Sequence, residues 1–500
     1  YHKLPRGSPG SSTHARASSA APRALWLDPQ IIASSDYWRY EPEKVFLGRC
    51  GEQFIGLGDD RHLVTIAASR SGKGRSAIIP NLLLYPGSTL VLDPKGENAG
   101  LTAEQRAEML GHDVYVIDPY GVADVPDRLK AGFNPFDLLS VHDPYFVDDC
   151  ATLAEGLVMS DPKEANNHWN TTAKLILRGI ISYVMSNEDV ETKTLSMVSN
   201  LLAQKGLSRD EDGFKGILRL ILEEPEIGFG IPAEMAALLL STGDNEYGSL
   251  LATVRKNLAF ASSPPMAKCL SGGEDGKLRR PSLKTWKHEP TTIYLCLPAH
   301  LLHTHSRFFR VFLYQLMAAV ERHPAKPEIP ALMVLDEMHV LGHMPILETA
   351  AGLFAGYGVK IWSFWQDLSQ LIALYDKRWV SFIGNAGLIQ AFGPNDMQTM
   401  EFLSNRLGGS SILSINQSDL TISQAASGAS GQSKSIQKAP LLSADEIAYF
   451  FSRQSGNQLL IYPGSDPIFI ERQNHDEPAF QQLLQSQART TQEQADEVYA

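Results

Sequence analysis

A lysine behind a glycine in IAASRSGKGRS (66–76) and a carboxylate pair closing the apolar run ALMVLDEM (331–338) are the residues of this chain best suited to chemistry. The first has the makings of a phosphate cradle. Small residues let backbone N–H groups approach an anion, the N-terminus of the following helix adds partial positive charge, and a lysine neutralises the outer oxygens. Gly72 and Lys73 fit those roles, and Ser69, Arg70, Ser71, Gly74 and Arg75 complete the cradle. Two positions depart from GxxxxGK[ST]: Ala67 stands for the first glycine, and Gly74 for the hydroxyl residue that ordinarily ligates Mg²⁺. An apolar strand ending in acids is common by itself; after a phosphate loop it reads as the second half of a nucleotide-hydrolysis site. Asp336 is then the residue that holds Mg²⁺, directly or through water, and Glu337 the one that orients and polarises the attacking water. ATP and Mg²⁺ are the implied cofactors.

Gln366 ends the run VKIWSFWQ (359–366), where it either senses the terminal phosphate and positions water or is simply a polar strand end. Asp93, Lys95 and Glu97 of LDPKGE end another run, expected beside the cradle strand or one removed; their plainer reading is a capped turn into the next helix.

These residues need a scaffold that brings strand ends together. From about residue 60 short apolar runs alternate with helical stretches: HLVTIAAS (62–69), then RSAIIPNLLLY (75–85), STLVLDPKGE (88–97), AEQRAEMLG (103–111) and DVYVIDP (113–119). A βαβαβ order predicts a parallel sheet with crossover helices on its faces. Residues 145–285 carry helical patterns, such as HWNTTAKLILRGIISYVM (168–185), and almost no strand signal, which predicts an inserted all-α domain. The α/β rhythm resumes with TTIYLCLP (291–298), an amphipathic helix with Phe309, Phe312, Leu313, Leu316, Met317 and Val320 on one stripe, and the strands ending in Asp336, Gln366 and GLIQAFG (387–393). The expected organisation is a leader and lead-in over 1–44 (flexible to about residue 25), a first α/β part over 45–144, the all-α insertion over 145–285, a second α/β part over 286–475 and a polar tail over 476–500. Within it, the Ser/Gly/Gln-rich stretch 408–437 reads as a mobile loop, and QLLIYPG and DPIFIER (458–472) as a last strand pair.

Composition narrows the class. Hydrophobic residues make up 43% and charged residues 20%, which excludes a disordered or collagen-like chain. The net charge of −12, from 44 basic and 56 acidic residues, argues against coating nucleic acid through overall charge but leaves room for a local basic channel. Cys50, Cys150, Cys269 and Cys296 lie far apart with no metal-ligand spacing, which reads as a reducing compartment. No apolar run reaches the roughly 18–20 residues of a membrane helix, and the chain starts at Tyr1, so any anchor is expected in a part missing upstream. HLLHTHSRFFR (300–310) lacks zinc spacing. KLRRPSLKTWK (277–287), with Trp286, is either a solvated connector or a nucleic-acid contact, and Trp362 and Trp365 read as core.

Taken together, SRSGKG running into IIPNLL, LVLDPKGE, FNPFDLL (133–139), HWNTTAK, VLDEM, GYGVKIWSFWQDLSQL (356–371) and APLLSADEI (439–447) resemble the type IV secretion coupling proteins, the TraG-like conjugation ATPases, over about residues 45–475. GKG rather than GKS is itself a mark of that subgroup. The resemblance implies a RecA-like P-loop domain interrupted by an all-α substrate-recruiting domain, a homo-hexameric ring at the bacterial inner membrane, and ATP-driven delivery of relaxase–DNA complexes or effector proteins to the secretion machinery, with DNA plausible in the central channel. Relatives often carry a neighbour-subunit arginine just before GYG; here Phe354, Ala355 and Gly356 stand there, leaving Arg378 and Arg406 as unranked substitutes. The alternatives are an FtsK/HerA-like DNA translocase, which DPKGE and APLLSADEI disfavour, and a nucleotide-gated substrate receptor with little hydrolysis.

Overall fold

Apolar runs without alternation predict strands buried on both faces, and the computed structural model shows them so. It describes residues 24–159, 168–203, 213–273, 277–417 and 432–499. The main sheet is built from Val45–Cys50 (β1), Gln53–Leu57 (β2), His62–Ala67 (β3), Thr89–Asp93 (β4), Asp113–Ile117 (β5), Lys130–Ala131 (β6), Thr291–Cys296 (β7), Ala331–Leu335 (β8), Val359–Trp365 (β9), Ala386–Phe392 (β10), Asn457–Ile461 (β13) and Ile468–Glu471 (β14); Gly409–Gln417 (β11) and Gln432–Pro440 (β12) stand apart. Its order is β2-β1-β14-β13-β10-β3-β9-β8-β4-β7-β5-β6. From β10 to β6 every neighbouring pair is parallel, and β13, β14, β1 and β2 extend the sheet antiparallel. The last strand pair therefore forms as expected, and the β1–β2 hairpin is an addition to it.

The order corrects one expectation. β9 and β8 both lie between β3 and β4, so Asp93 is not beside the phosphate-loop strand or one removed. Its buried carboxylate accepts from Ala99 N at 2.7 Å and Asn98 Nδ2 at 3.3 Å, which secures the turn into the helix Glu97–Glu108, while Lys95 and Glu97 are exposed. Burial pushes the Asp93 carboxyl up to about 7.

Between β6 and β7 the described residues form helices and turns, with only a single bridge from Ala131 to Arg279. The helix His168–Ser186 shows why: Ala173, Ile176, Leu177, Ile180, Ile181 and Val184 recur at three- and four-residue spacing, and all are buried. Gly179 allows the helix Ile231–Ser241 to approach, since a Cβ there would lie 2.5 Å from that of Met235. The helix Leu302–Arg322 runs against the helix Phe146–Leu157, and a Cβ on Gly156 would sit 3.0 Å from Val311 Cα. Phe309, Phe312, Leu313, Leu316, Met317 and Val320 are buried, but so are Phe308, Arg310, Val311 and Tyr314. This helix is thus a central element covered all round rather than a one-stripe surface helix, because the helical block closes over its outer side. One hydrophobic cluster runs from Ile66, Leu92 and Leu335 on the sheet to Leu177, Leu239 and Val254 in the helices.

Two further readings change. The stretch 408–437 is not simply a mobile loop: its described parts pair as the antiparallel ribbon β11–β12, from Gly409 opposite Pro440 to Gln417 opposite Gln432. The residues between lie outside the described ones, as do residues 1–23. The strap 277–287 keeps Lys277, Arg279, Arg280 and Lys284 exposed, as a solvated connector would, but is pinned at several points. Trp286 is fully buried, Lys287 Nζ donates to Tyr357 O at 2.9 Å, and Arg279 and Arg280 pair with Asp113 and Asp137; an enclosed indole offers no face for a base to stack on. Trp362 and Trp365 are core as expected, and the four cysteines are buried thiols. His305 Nε2 lies 2.8 Å from Tyr120 OH. The described part of the lead-in packs on the sheet domain, with Trp26 edge-on to Phe469 at 5.6 Å. The tail forms the helix Pro478–Tyr499, whose Phe480 and Leu484 pack on Phe46, Ile79 and Leu83. Among the described residues no helix is long and apolar enough to cross a membrane.

Candidate nucleotide site

Because β3, β9 and β8 are parallel neighbours, their C-terminal ends put Lys73, Gln366 and the Asp336–Glu337 pair at one edge of the sheet. After Ala67 the chain curls back, with Ser71 N donating to Ala68 O at 3.1 Å and Arg70 in the left-handed region at φ 59°. Gly72 takes φ 97°, which a side chain would disfavour. One π-turn, Gly74–Ile78, then leads into the helix Ile79–Leu84, and Ser76 Oγ bonds back to Gly72 O at 3.0 Å. The first N–H groups of a helix lack internal acceptors, so this start faces the loop with donors available. The far end of that helix is fixed by Arg106, fully buried, which donates to Leu82 O and Tyr85 O at 2.7 and 3.0 Å.

Lys73 Nζ lies 2.8 Å from Asp336 Oδ1 and 2.7 Å from Glu337 Oε1. Glu337 adopts φ 55°, a left-handed conformation that non-glycine residues avoid and that turns its carboxylate back toward the lysine. Its second oxygen accepts from Gln366 Nε2 at 3.0 Å, and His339 Nδ1 stands 3.3 Å away. Glu337 N donates to Asp336 Oδ1 at 3.0 Å. Burial by itself lowers the Lys73 ammonium, but the two carboxylates outweigh it and hold its pKa above the ordinary range. Burial raises Glu337, yet Lys73 and Gln366 pull it net below the usual carboxylate value. Asp336, more deeply enclosed, stays above its usual value because desolvation exceeds the attraction of Lys73.

Of the expected cradle residues, Ser71 is buried, Gly72, Lys73 and Gly74 are half-buried, and Ser69, Arg70 and Arg75 are exposed. Arg75 is paired with Asp476. Ser71 Oγ is buried without a hydrogen-bond partner, and the carboxylates at the loop mouth are hard oxygen donors. An orphan hydroxyl, helix-start N–H groups, an ammonium and two carboxylates form a set that suits a phosphate ester with its magnesium ion. Gly74 supplies no hydroxyl, although nothing lies within 4 Å of where its Cβ would be. Arg378 Nη1 is bound to Glu348 at 2.8 Å, and Arg406 is an exposed residue in the last turn of the helix Met397–Leu407. Two residues around the loop were missed from sequence. Gly393 (φ 62°) faces Ser71, where a Cβ would lie 2.7 Å from that of Ser71, and Arg472 donates to Ser71 O. The only sequence signal for either is its place at the end of an apolar run.

The family model for type IV secretory system conjugative DNA transfer matches residues 24–497. The chain belongs to this family. It is 27% identical to the conjugal transfer protein TraG of Escherichia coli, over 77% of this chain and 61% of TraG. It is 26% identical to VirD4 of Agrobacterium fabrum, over 86% of this chain and 61% of VirD4. The family member described here therefore spans about 61% of these relatives. Among solved structures it resembles the bacterial conjugative coupling protein TrwBdeltaN70 in complex with sulphate, at TM-score 0.64 and 15% identity over 93% of this chain and 98% of that one. TrwB in complex with ADP and Mg²⁺ is similar at TM-score 0.62 and 13% identity, over 93% and 98% of the two chains. This likeness is one of fold: the RecA-like α/β domain with an all-α insertion.

Proposed function

We propose that this chain is the ATP-hydrolysing motor part of a type IV secretion coupling protein, with the segment 145–285 recruiting substrate. The observation that carries the reading is the single ammonium of Lys73 shared by Asp336 and Glu337, with Gln366 on the free oxygen of Glu337. The TrwB structures support it by likeness, since TrwB is known in complex with ADP and Mg²⁺.

Ser69 to Arg75 surround the phosphates through backbone N–H groups, and Lys73 exchanges its carboxylate partners for phosphate oxygens. Asp336 would hold Mg²⁺, which would supply positive charge to the phosphate oxygens. Glu337, ionised at neutral pH and held by Gln366, accepts a hydrogen bond from water and aims its oxygen. Gln366 reports the exchange because its partner Glu337 loses Lys73 when Lys73 turns to phosphate. The chain works as a homo-hexamer at the inner face of the bacterial inner membrane. It passes relaxase–DNA complexes or effector proteins to the secretion machinery, with DNA in the central channel.

A nucleotide-gated receptor with little hydrolysis is the second reading, favoured by the missing hydroxyl at Gly74 and by the tie of Arg378 to Glu348 within its own subunit. ATP turnover against protein concentration separates the two. Specific activity that rises as the chain oligomerises supports the motor; nucleotide binding with no turnover at any concentration refutes it.

A further inference from the structure

The loop after β14 lies over the phosphate loop, and its first residue reaches Ser71. Arg472 Nη1 donates to the Ser71 carbonyl, and Nη2 donates to Arg453 O at 2.8 Å. The guanidinium carbon stands 4.9 Å from the centre of the Phe392 ring, and Nε is buried without a partner. The groups that touch its charge are two carbonyl oxygens and a ring face, and the Glu477 carboxylate acts on it from farther off. An arginine stays charged even when burial lowers its pKa, as it does here. A Cβ on Gly72 would come within 3.4 Å of Nη1, so the cation sits directly behind the loop.

Ser71 is also met by Gly393. The apex of the loop is thus held by the end of β10 and by Arg472. The backbone carrying Arg472 is fixed in turn, with its N–H on Gly456 O at 2.7 Å and His475 N on Arg75 O at 3.0 Å. The neighbouring Arg75–Asp476 pair is largely exposed and contributes little, which leaves the half-buried Arg472 as the link.

We infer that Arg472 is a positioning residue for nucleotide binding: it holds the Ser71 carbonyl turned away from the anion and adds a positive charge behind the cradle. The inference rests on the reading of Ser69 to Arg75 as a nucleotide cradle, although the clamp itself can be read without nucleotide.

The test uses the whole chain with Arg472→Gln and Arg472→Lys. Hydrogen exchange of the 68–76 amides in nucleotide-free protein reads the clamp, titration with a fluorescent ATP analogue reads affinity, and thermal unfolding reports the overall fold. In Arg472→Gln those amides exchange about tenfold faster and the analogue binds about tenfold more weakly, the effect of losing a charge-assisted hydrogen bond, with an unchanged unfolding midpoint. Arg472→Lys, which keeps the charge but not the two-pronged geometry, recovers part of both. Unchanged exchange at 68–76 in Arg472→Gln overturns the inference whatever the affinity. Faster exchange in a chain whose wild type does not bind the analogue leaves the clamp standing and removes the nucleotide reading instead. Should Arg472→Gln fail to fold, Arg472→Lys decides: about threefold faster exchange is expected, and wild-type protection overturns the proposal.

Discussion

Replacing Lys73 by methionine removes a charge and little else, because the unbranched stem is kept. In the nucleotide-free chain that charge is shared by Asp336 and Glu337, whose side chains are 14% and 23% exposed. Breaking a buried ion pair from one side costs about 3–5 kcal/mol; the residual exposure lets water reach both acids, so the low end, about 3 kcal/mol, is expected near neutral pH. The loss depends on pH with a definite sign. The folded pKa of Asp336 is raised above its unfolded value, so its stabilising contribution is complete below that value and lost as pH rises through the folded pKa. Without Lys73 the folded pKa rises further and the loss at neutral pH deepens. The folded pKa of Glu337 is depressed, so its contribution is present above the unfolded value and lost as pH falls through the folded one. That depression comes mainly from Lys73, and the variant forfeits it. Both terms make the gap between wild type and Lys73→Met widest near pH 7–8 and narrow it toward about pH 4. Urea unfolding of nucleotide-free protein across that range, followed by circular dichroism, measures the gap. A gap that does not change with pH, or a variant as stable as wild type near pH 8, would refute the argument that Lys73 neutralises a buried carboxylate pair. Lys73→Met and Lys73→Ala are both expected to fold and to lose nucleotide turnover; full turnover in a folded variant removes the site assignment.

Three further outcomes follow from distances. Gly393→Ala puts a Cβ 2.7 Å from that of Ser71 at φ 62°, so it costs about 2 kcal/mol in urea unfolding and weakens nucleotide binding; unaltered affinity would mean that Gly393 does not seat the loop. Gly74→Ser meets open space and gains about 0.5 kcal/mol from helix propensity, so a loss of more than about 1 kcal/mol would contradict that space. Gln366→Leu frees one oxygen of Glu337 and lowers turnover about tenfold with nucleotide affinity nearly unchanged, read as a split between kcat and KM; equal losses in affinity would place Gln366 in binding instead.

Much of the fold was legible because buried parallel strands announce themselves as unbroken apolar runs. HLVTIA, TLVLD, TTIYLC, ALMVL and VKIWSFW all became β-strands buried along their length. The ribbon β11–β12 was not legible, since Ser, Gly and Gln carry no strand periodicity and its order lies in cross-strand pairing. The helix Leu302–Arg322 was legible as a helix but not as a central one: a stripe records the first partner, and the helical block on the other side is a non-local fact. Trp286 in a basic run looked accessible because charge at neighbouring positions says nothing about which way one indole turns.

By itself the sequence determined the chemical inventory: a glycine–lysine loop between a strand and a helix, two acids and an amide at strand ends, and the helical block that interrupts the sheet. Local physics suffices for these, because side-chain period and loop composition act over a few residues. Only the tertiary structure decided who meets whom. Placing β9 between β3 and β8 sets Gln366 on Glu337 rather than at a distant strand end, and it carries Asp93 away from the loop. Folding the last strand back antiparallel brings Arg472 behind Ser71 across 401 positions of chain. Strand order is chosen by which crossovers bury the most apolar surface, a sum over contacts far apart in sequence that no local pattern records.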